Sequence, residues 1–132
     1  MKSRVKTMPK GLVRDVIERD GGFCLLVLPG CMGEASTADH RADRGHGGSL
    51  VLNHGAALIA ACGLCNGRKT HLHPLERTPL IRRGLIVAKD STNEKTLARC
   101  KETPIETVEG ERFYLISANE RTRVEDMMRG DR

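Results

Sequence analysis

Aromatic side chains are almost missing from this 132-residue chain, which holds Phe23, Phe113 and Tyr114 and no tryptophan. Aromatics bury the most apolar area per residue, so a core without them lacks its heaviest contributors and gains from a staple. The shortage also argues against base stacking on single-stranded nucleic acid. No apolar run approaches the roughly 18 residues of a membrane span. The basic start, MKSRVKTMPKGLVRD, has no apolar stretch behind it and does not read as a secretory signal. The chain is therefore expected in a reducing cytoplasm, where disulfides do not persist and paired cysteines are more often metal ligands. No heptad, collagen-like or solenoid period is visible, and the length suits one domain.

Charge is abundant and uneven. The net charge is +5. Residues 1–83 hold 13 lysines and arginines against 7 acidic residues, and residues 84–132 hold 9 against 10. The basic excess lies with the cysteine pairs and most histidines, which points to a polyanionic partner at that end, nucleic acid first.

Residues 9–19 have Leu12, Val13, Val16 and Ile17 on one stripe and predict a helix stopped by Gly21 and Gly22. FCLLVLPGCMG at 23–33 reads as a strand and turn with a cysteine near each end. Residues 36–40 read as extended, 41–49 as a polar glycine-rich loop, and 50–61 as two apolar patches around His54 and Gly55. Thr78, Pro79 and Gly84 have the form of a short capped helix. Residues 85–88 read as a strand, 89–103 as a mobile loop, 104–108 and 112–116 as a hairpin, and 123–129 as a closing helical turn.

Cys62 and Cys65 form a C-x-x-C, and Cys24 and Cys31 a wider pair. Two pairs, each on a turn, can wrap a structural Zn²⁺ with four thiolates. Buried structural cysteines, or a redox pair in a βαβ context, are the alternatives. Cys100 has no partner at ligand spacing and reads as a free or buried thiol. A C₂H₂ finger and a nucleobase deaminase are excluded by histidine spacing and by the missing H-x-E. Asp39 and His40 end the extended segment, and Asn66 follows the second cysteine pair. If the pairs pin both segments together, Asp39 and Asn66 can converge on a hard cation, Mg²⁺ or Mn²⁺. His40 is then suited to take a proton from water near neutral pH. The alternative is a solvated Asp-His in a polar segment.

Residues 24–70 resemble the HNH endonuclease family, especially its zinc-stapled bacteriophage forms. The features are RDGGFC, the second cysteine before Gly33, ADHR at 38–41, GHGGS at 45–49, and LIAACGLCNGRKT, in family order. The resemblance implies an α+β fold: a ββα-metal core stapled by a four-cysteine zinc site, with an N-terminal helix and a β-rich C-terminal extension. The strands carry Asp39-His40 and residues 58–61, and the helix opens at Asn66. Residues 9–78 would be the nuclease core and 79–132 a short helix plus hairpin extension. It implies Cys24, Cys31, Cys62 and Cys65 as structural zinc ligands, Asp39 and Asn66 as ligands of the catalytic Mg²⁺ or Mn²⁺, and His40 as general base. Asn66 stands where many members have a final histidine. The family's middle asparagine falls at Ala57. Asn53 is the candidate to replace it if residues 54–57 form an extra turn, its amide bridging to backbone within 40–48. The alternative is an ordinary turn residue.

The expected activity is metal-dependent hydrolysis of DNA phosphodiester bonds, leaving 5′-phosphate and 3′-hydroxyl ends. Arg41, Arg44, Arg68 and Lys69 are candidate phosphate contacts on a duplex read with little sequence preference. On this resemblance the setting is the cytoplasm of a bacterial host. The competing reading is a non-catalytic, zinc-stapled module that binds DNA or a phage packaging protein. A zinc-stapled assembly protein is a third.

Overall fold

Local signals place the first elements. In the computed structural model, which describes residues 8–42 and 50–128, the apolar stripe at 12–17 becomes helix α1, Lys10–Arg19. Gly21 and Gly22, both at φ 85°, turn the chain out of it. Strand β1 is Thr37–His40 and β2 is Leu58–Ala61, paired antiparallel with Asp39 opposite Ile59 and His40 opposite Leu58. Helix α2, Gly63–Arg68, follows at once, so the chain order here is strand, strand, helix. It opens three residues earlier than Asn66, because the Cys62 thiol caps it by accepting from the Cys65 N–H.

Among the described residues no third strand covers the outer edge of β2. The Asp20 carboxylate accepts the Ala60 N–H at 2.9 Å, and Arg19 donates to the carbonyls of Leu58 at 2.7 Å, Gly55 at 2.8 Å and Ser117 at 2.9 Å. Arg19 and Asp20 also pair with each other, so the end of α1 is pinned to the edge of the sheet by a buried ion pair whose remaining groups are satisfied.

Several sequence expectations change. Residues 23–33 hold no strand beyond a single bridge between Phe23 and Glu34. They form a loop that reverses through Val27 (φ 48°), Gly30 and Gly33. The helix expected from Thr78 starts earlier. Helix α3 is Pro74–Arg82, His73 accepts from Leu75 N–H as its cap, and Pro79 lies inside. Gly84 ends it as expected, at φ 75°, where an added Cβ would lie 2.1 Å from the Pro104 carbonyl. Residues 85–87 are buried and Ala88 is exposed, and the segment forms no strand, since its backbone bonds go to separate partners: Leu85 to Leu80 and Val87 to Arg41. The expected mobile loop contains helix α4, Asn93–Glu102, capped by Thr92. Strands β3 (Ile105–Glu106) and β4 (Arg112–Ser117) make the expected hairpin, β5 (Glu120–Arg123) adds a strand not foreseen, and α5 (Val124–Met128) closes the chain.

The fold is thus mixed α+β, with two small sheets and five helices among the described residues. One apolar cluster joins Leu26, Ile59 and the cysteines Cys24, Cys62 and Cys65 to Leu80, Leu85, Ile105, Phe113 and Leu115. Residues after 79 therefore complete the same core as those before it. Phe23 is 64% exposed, so Phe113 is the one aromatic fully within this cluster. No helix among the described residues is long and apolar enough to cross a membrane.

Arg41 is the largest correction. Expected on the DNA surface, it is 1% exposed. Its guanidinium donates to the carbonyls of Gly84 (2.9 Å), Ala56 (2.7 Å), Cys100 (2.8 Å) and Thr103 (2.6 Å). Burial pulls its pKa down to about 10, which leaves it charged at neutral pH. It ties the end of β1 to the segments after α3 and α4. Arg41→Met is expected to strand those carbonyls and cost on the order of 3–5 kcal/mol in urea unfolding. A loss under about 1 kcal/mol would mean the carbonyls find other donors.

Candidate metal centre and adjoining cavity

The loop at 24–33 and the start of α2 bring four thiols together. The sulfurs of Cys24, Cys31, Cys62 and Cys65 all lie within 4.8 Å of one another, and Cys31 and Cys62 are 4.0 Å apart. Four sulfurs at about 2.3 Å from a central zinc would be separated by roughly 3.8 Å, so the quartet has tetrahedral size. Backbone N–H groups point at the sulfurs: Leu28 to Cys65 at 3.4 Å, Gly33 to Cys31 at 3.3 Å and Cys65 to Cys62 at 3.4 Å. Val27, a β-branched residue held at φ 48°, precedes Leu28 and carries strain of order 1–3 kcal/mol that the turn toward Cys65 imposes.

Burial pushes the Cys24 and Cys65 thiols up. Burial acts the same way on Cys62, but hydrogen bonds from Met32, Cys65 and Cys31 outweigh it and hold that thiol at about 6. Four thiolates this close repel unless a cation lies between them. The group can hold a metal ion, and an all-sulfur, closed donor set suits Zn²⁺ in a structural role. Cys100 lies apart, buried with Ala42, Leu52, Ala57 and Val87, as expected of an unpartnered thiol.

A cavity of about 630 Å³ opens beside β1 and α2, lined by Asp39, His40, Asn66, Lys69, Arg77 and Lys89 among others. Asp39, His40 and Asn66 thus face one space, with the thiol quartet anchoring α2 behind them. Asp39 is 9% exposed, and burial raises its pKa above the ordinary carboxylate value, opposed in part by Lys69. Asn66 is half-buried on the second turn of the cysteine-capped helix.

Asn53 is joined to the site directly. The extra turn at 54–57 is present as a 3-10 turn, Gly55–Ala57, capped by His54 Nδ1, which accepts from Ala56 N–H at 3.0 Å. Burial, then the charge of Lys101, pushes the His54 pKa down, which keeps that nitrogen an acceptor. The close approach of Gly55 to Ser117 and Ala118 allows this turn; a Cβ there would lie 2.0 Å from Ala118 N. Asn53 Oδ1 then meets His40 Nε2 at 2.9 Å. The bond goes to the imidazole itself; of the backbone at 40–48, where the sequence placed the bridge, residues 43–48 lie outside the described residues. An amide oxygen can only accept, so in this bond Nε2 is the donor and the ring's orientation is set by Asn53. Asn53 Nδ2 is buried with no hydrogen-bond partner among the described residues. An orphaned amide costs roughly 1–3 kcal/mol, and a side chain kept at that cost calls for a role beyond stability.

The expected phosphate contacts fare unevenly. Arg41 is withdrawn into the core. Arg44 and the GHGGS segment lie outside the described residues. Arg68 donates to the Pro29 carbonyl at 2.7 Å and lies 3.5 Å from Glu76. Lys69 turns inward, donating at 2.6 Å both to Asp39 Oδ2 and to the His40 carbonyl. Arg77 and Lys89, not singled out from sequence, line the cavity, are exposed, and carry no ion pair among the described residues. Only tertiary structure brings them there, from α3 and from the segment after it. Neither protein-family models nor comparisons with curated proteins and solved structures yield a match for this chain.

Proposed function

We propose that this protein is a zinc-stapled, metal-dependent DNA endonuclease of the HNH kind. The observation that carries the reading is the His40–Asn53 hydrogen bond in a cavity that Asp39 and Asn66 also line. A polarised, oriented imidazole beside a buried carboxylate and an amide is the equipment for activating water next to a cation. Zn²⁺ held by Cys24, Cys31, Cys62 and Cys65 would fasten α2 to the loop at 24–33 in a structural role.

Asp39 and Asn66 are oxygen donors suited to Mg²⁺ or Mn²⁺. A cation held there supplies positive charge for a phosphate oxygen and for the leaving 3′ oxygen. His40 accepts the proton of the attacking water at the nitrogen opposite Asn53. Asn53 fixes the ring's tautomer and angle. Arg77 and Lys89, with Arg68 at the rim, neutralise duplex phosphates without reading bases.

Supercoiled plasmid incubated with zinc-loaded protein tests the proposal. Nicked or linear product that requires added Mg²⁺ or Mn²⁺ supports it. Salt-sensitive DNA retention without cleavage supports a non-catalytic zinc-stapled DNA-binding or packaging accessory module instead. The Lys69–Asp39 ion pair is the observation that favours this second reading, because a lysine already neutralises the carboxylate. Absence of both DNA retention and cleavage points to an assembly role.

Asn53→Ala is expected to slow cleavage roughly 10- to 100-fold, because a misaimed base loses rate even when every reacting group remains. Zinc content should not change, and the melting temperature should move little, since the truncation also removes the orphaned amide nitrogen. Normal cleavage by this variant would take Asn53 out of the site.

A further inference from the structure

Lys69 is in an unusual place for a basic residue in a nucleic-acid-binding half-chain. Its side chain and that of Asp39 are each 11% exposed, so the pair is not one of the solvated surface bridges that contribute little. The ammonium spans two oxygens of β1, the Asp39 carboxylate and the His40 carbonyl, from the 3-10 turn Lys69–His71 that continues α2. Asn66 lies one turn earlier and lines the same cavity. The ammonium therefore stands among the oxygens that a hard cation would use, carrying one positive charge where such an ion carries two. Two cations cannot share one carboxylate in a site this poorly solvated without strong repulsion. The cavity that Lys69 lines leaves it room to withdraw.

We propose that Lys69 is the resident counter-ion of Asp39 and competes with the divalent cation for it, so that the cation enters by displacing the ammonium into the cavity. This rests on the reading of Asp39 as a cation ligand. It gives Lys69 two positions: paired with Asp39 in the resting protein, and facing the phosphate once the cation is bound. Asp39 keeps a cationic partner in both states. The displaced lysine adds its charge to those of Arg77 and Lys89 only when the site is loaded, which ties tight phosphate contact to cation occupancy.

The test is Mn²⁺ binding to the zinc-loaded full chain, measured by calorimetry and by the signal of free Mn²⁺ in electron paramagnetic resonance. Lys69→Met and Lys69→Gln are compared with wild type; glutamine retains a donor for the His40 carbonyl without the charge. Both variants are expected to bind Mn²⁺ about tenfold more tightly, because the ion no longer has a partly buried pair to break. Equal or weaker binding overturns the competition and leaves the nuclease reading standing. Unchanged Mn²⁺ affinity in Asp39→Asn, or no binding by wild type and variants alike, overturns both. In wild type, the side-chain ¹⁵N resonance of the Lys69 ammonium should lose its protection as Mg²⁺ saturates the site. A signal that stays protected with Mg²⁺ bound overturns the displacement, whatever the stability of the variants.

Discussion

Cys65→Ala is expected to abolish binding of the proposed structural zinc and, with it, the cooperative thermal transition, the largest effect expected of the substitutions proposed here. Cys65 is fully buried, contributes one sulfur of the quartet, and accepts the Leu28 N–H. Three of the four thiols also belong to the main apolar cluster, where Phe113 is the one aromatic. A core of leucine, isoleucine, alanine and cysteine has little to spare. Structural zinc contributes apparent binding energies of about 10–16 kcal/mol in small domains, as large as the whole stability of a typical one. Native mass spectrometry should find one zinc per wild-type chain and none on the variant, and circular dichroism should show its unfolding. A strong chelator should act on wild type in the same way. Cys100→Ala is the control: it trims a buried thiol outside the quartet and should keep both the metal and the transition. A metal-free protein with unchanged fold and melting temperature would remove the zinc site.

His40→Ala is expected to lower cation-dependent cleavage by about 10²–10⁴-fold, the range of a lost general base. On the proposed nuclease reading, DNA affinity and its salt dependence should persist, because that reading assigns the affinity to phosphate contacts and not to His40. Zinc content should also persist, since His40 is outside the sulfur quartet. Single-turnover cleavage beside equilibrium binding at several salt concentrations separates these effects. Cleavage at the wild-type rate would strip His40 of its role. Loss of binding together with cleavage would mean that the change disturbs β1 itself, and His40→Gln, which keeps a polar side chain opposite Asn53, would then decide between fold and chemistry.

These two experiments bear on different links of the same chain of cause. The four-cysteine cluster joins the start of α2 to the loop at 24–33, and α2 carries Asn66 and leads into the turn with Lys69. The Gly55–Ala57 turn sets where Asn53 meets His40. A loss of zinc should therefore remove activity together with structure, whereas His40→Ala should remove activity alone.

What was legible in the sequence was local. The stripe at Leu12, Val13, Val16 and Ile17 with two glycines after it specifies α1, because periodicity and positive φ are properties of neighbours. The extended segment at 36–40, the turn around Gly110 and the two cysteine pairs were readable for the same reason, whereas the strand at 58–61 was expected only from the family resemblance. So was the extra turn at 54–57, marked by His54 and Gly55. Tertiary structure decided the rest. An apolar run such as residues 85–88 has the composition of a buried strand, but only Leu85, Ile86 and Val87 are buried here, with no strand beside them among the described residues to complete a ladder. Helix α4 docks through Thr96 and Cys100, a face too thin to stand out as an apolar stripe among its charges. Arg41 and Lys69 read as surface cations because free guanidinium and ammonium groups favour water. Their burial became visible only once four carbonyls surrounded the first, and a carboxylate with a carbonyl the second. Desolvation of a charge is offset by partners that are distant in the chain, and no local pattern encodes them.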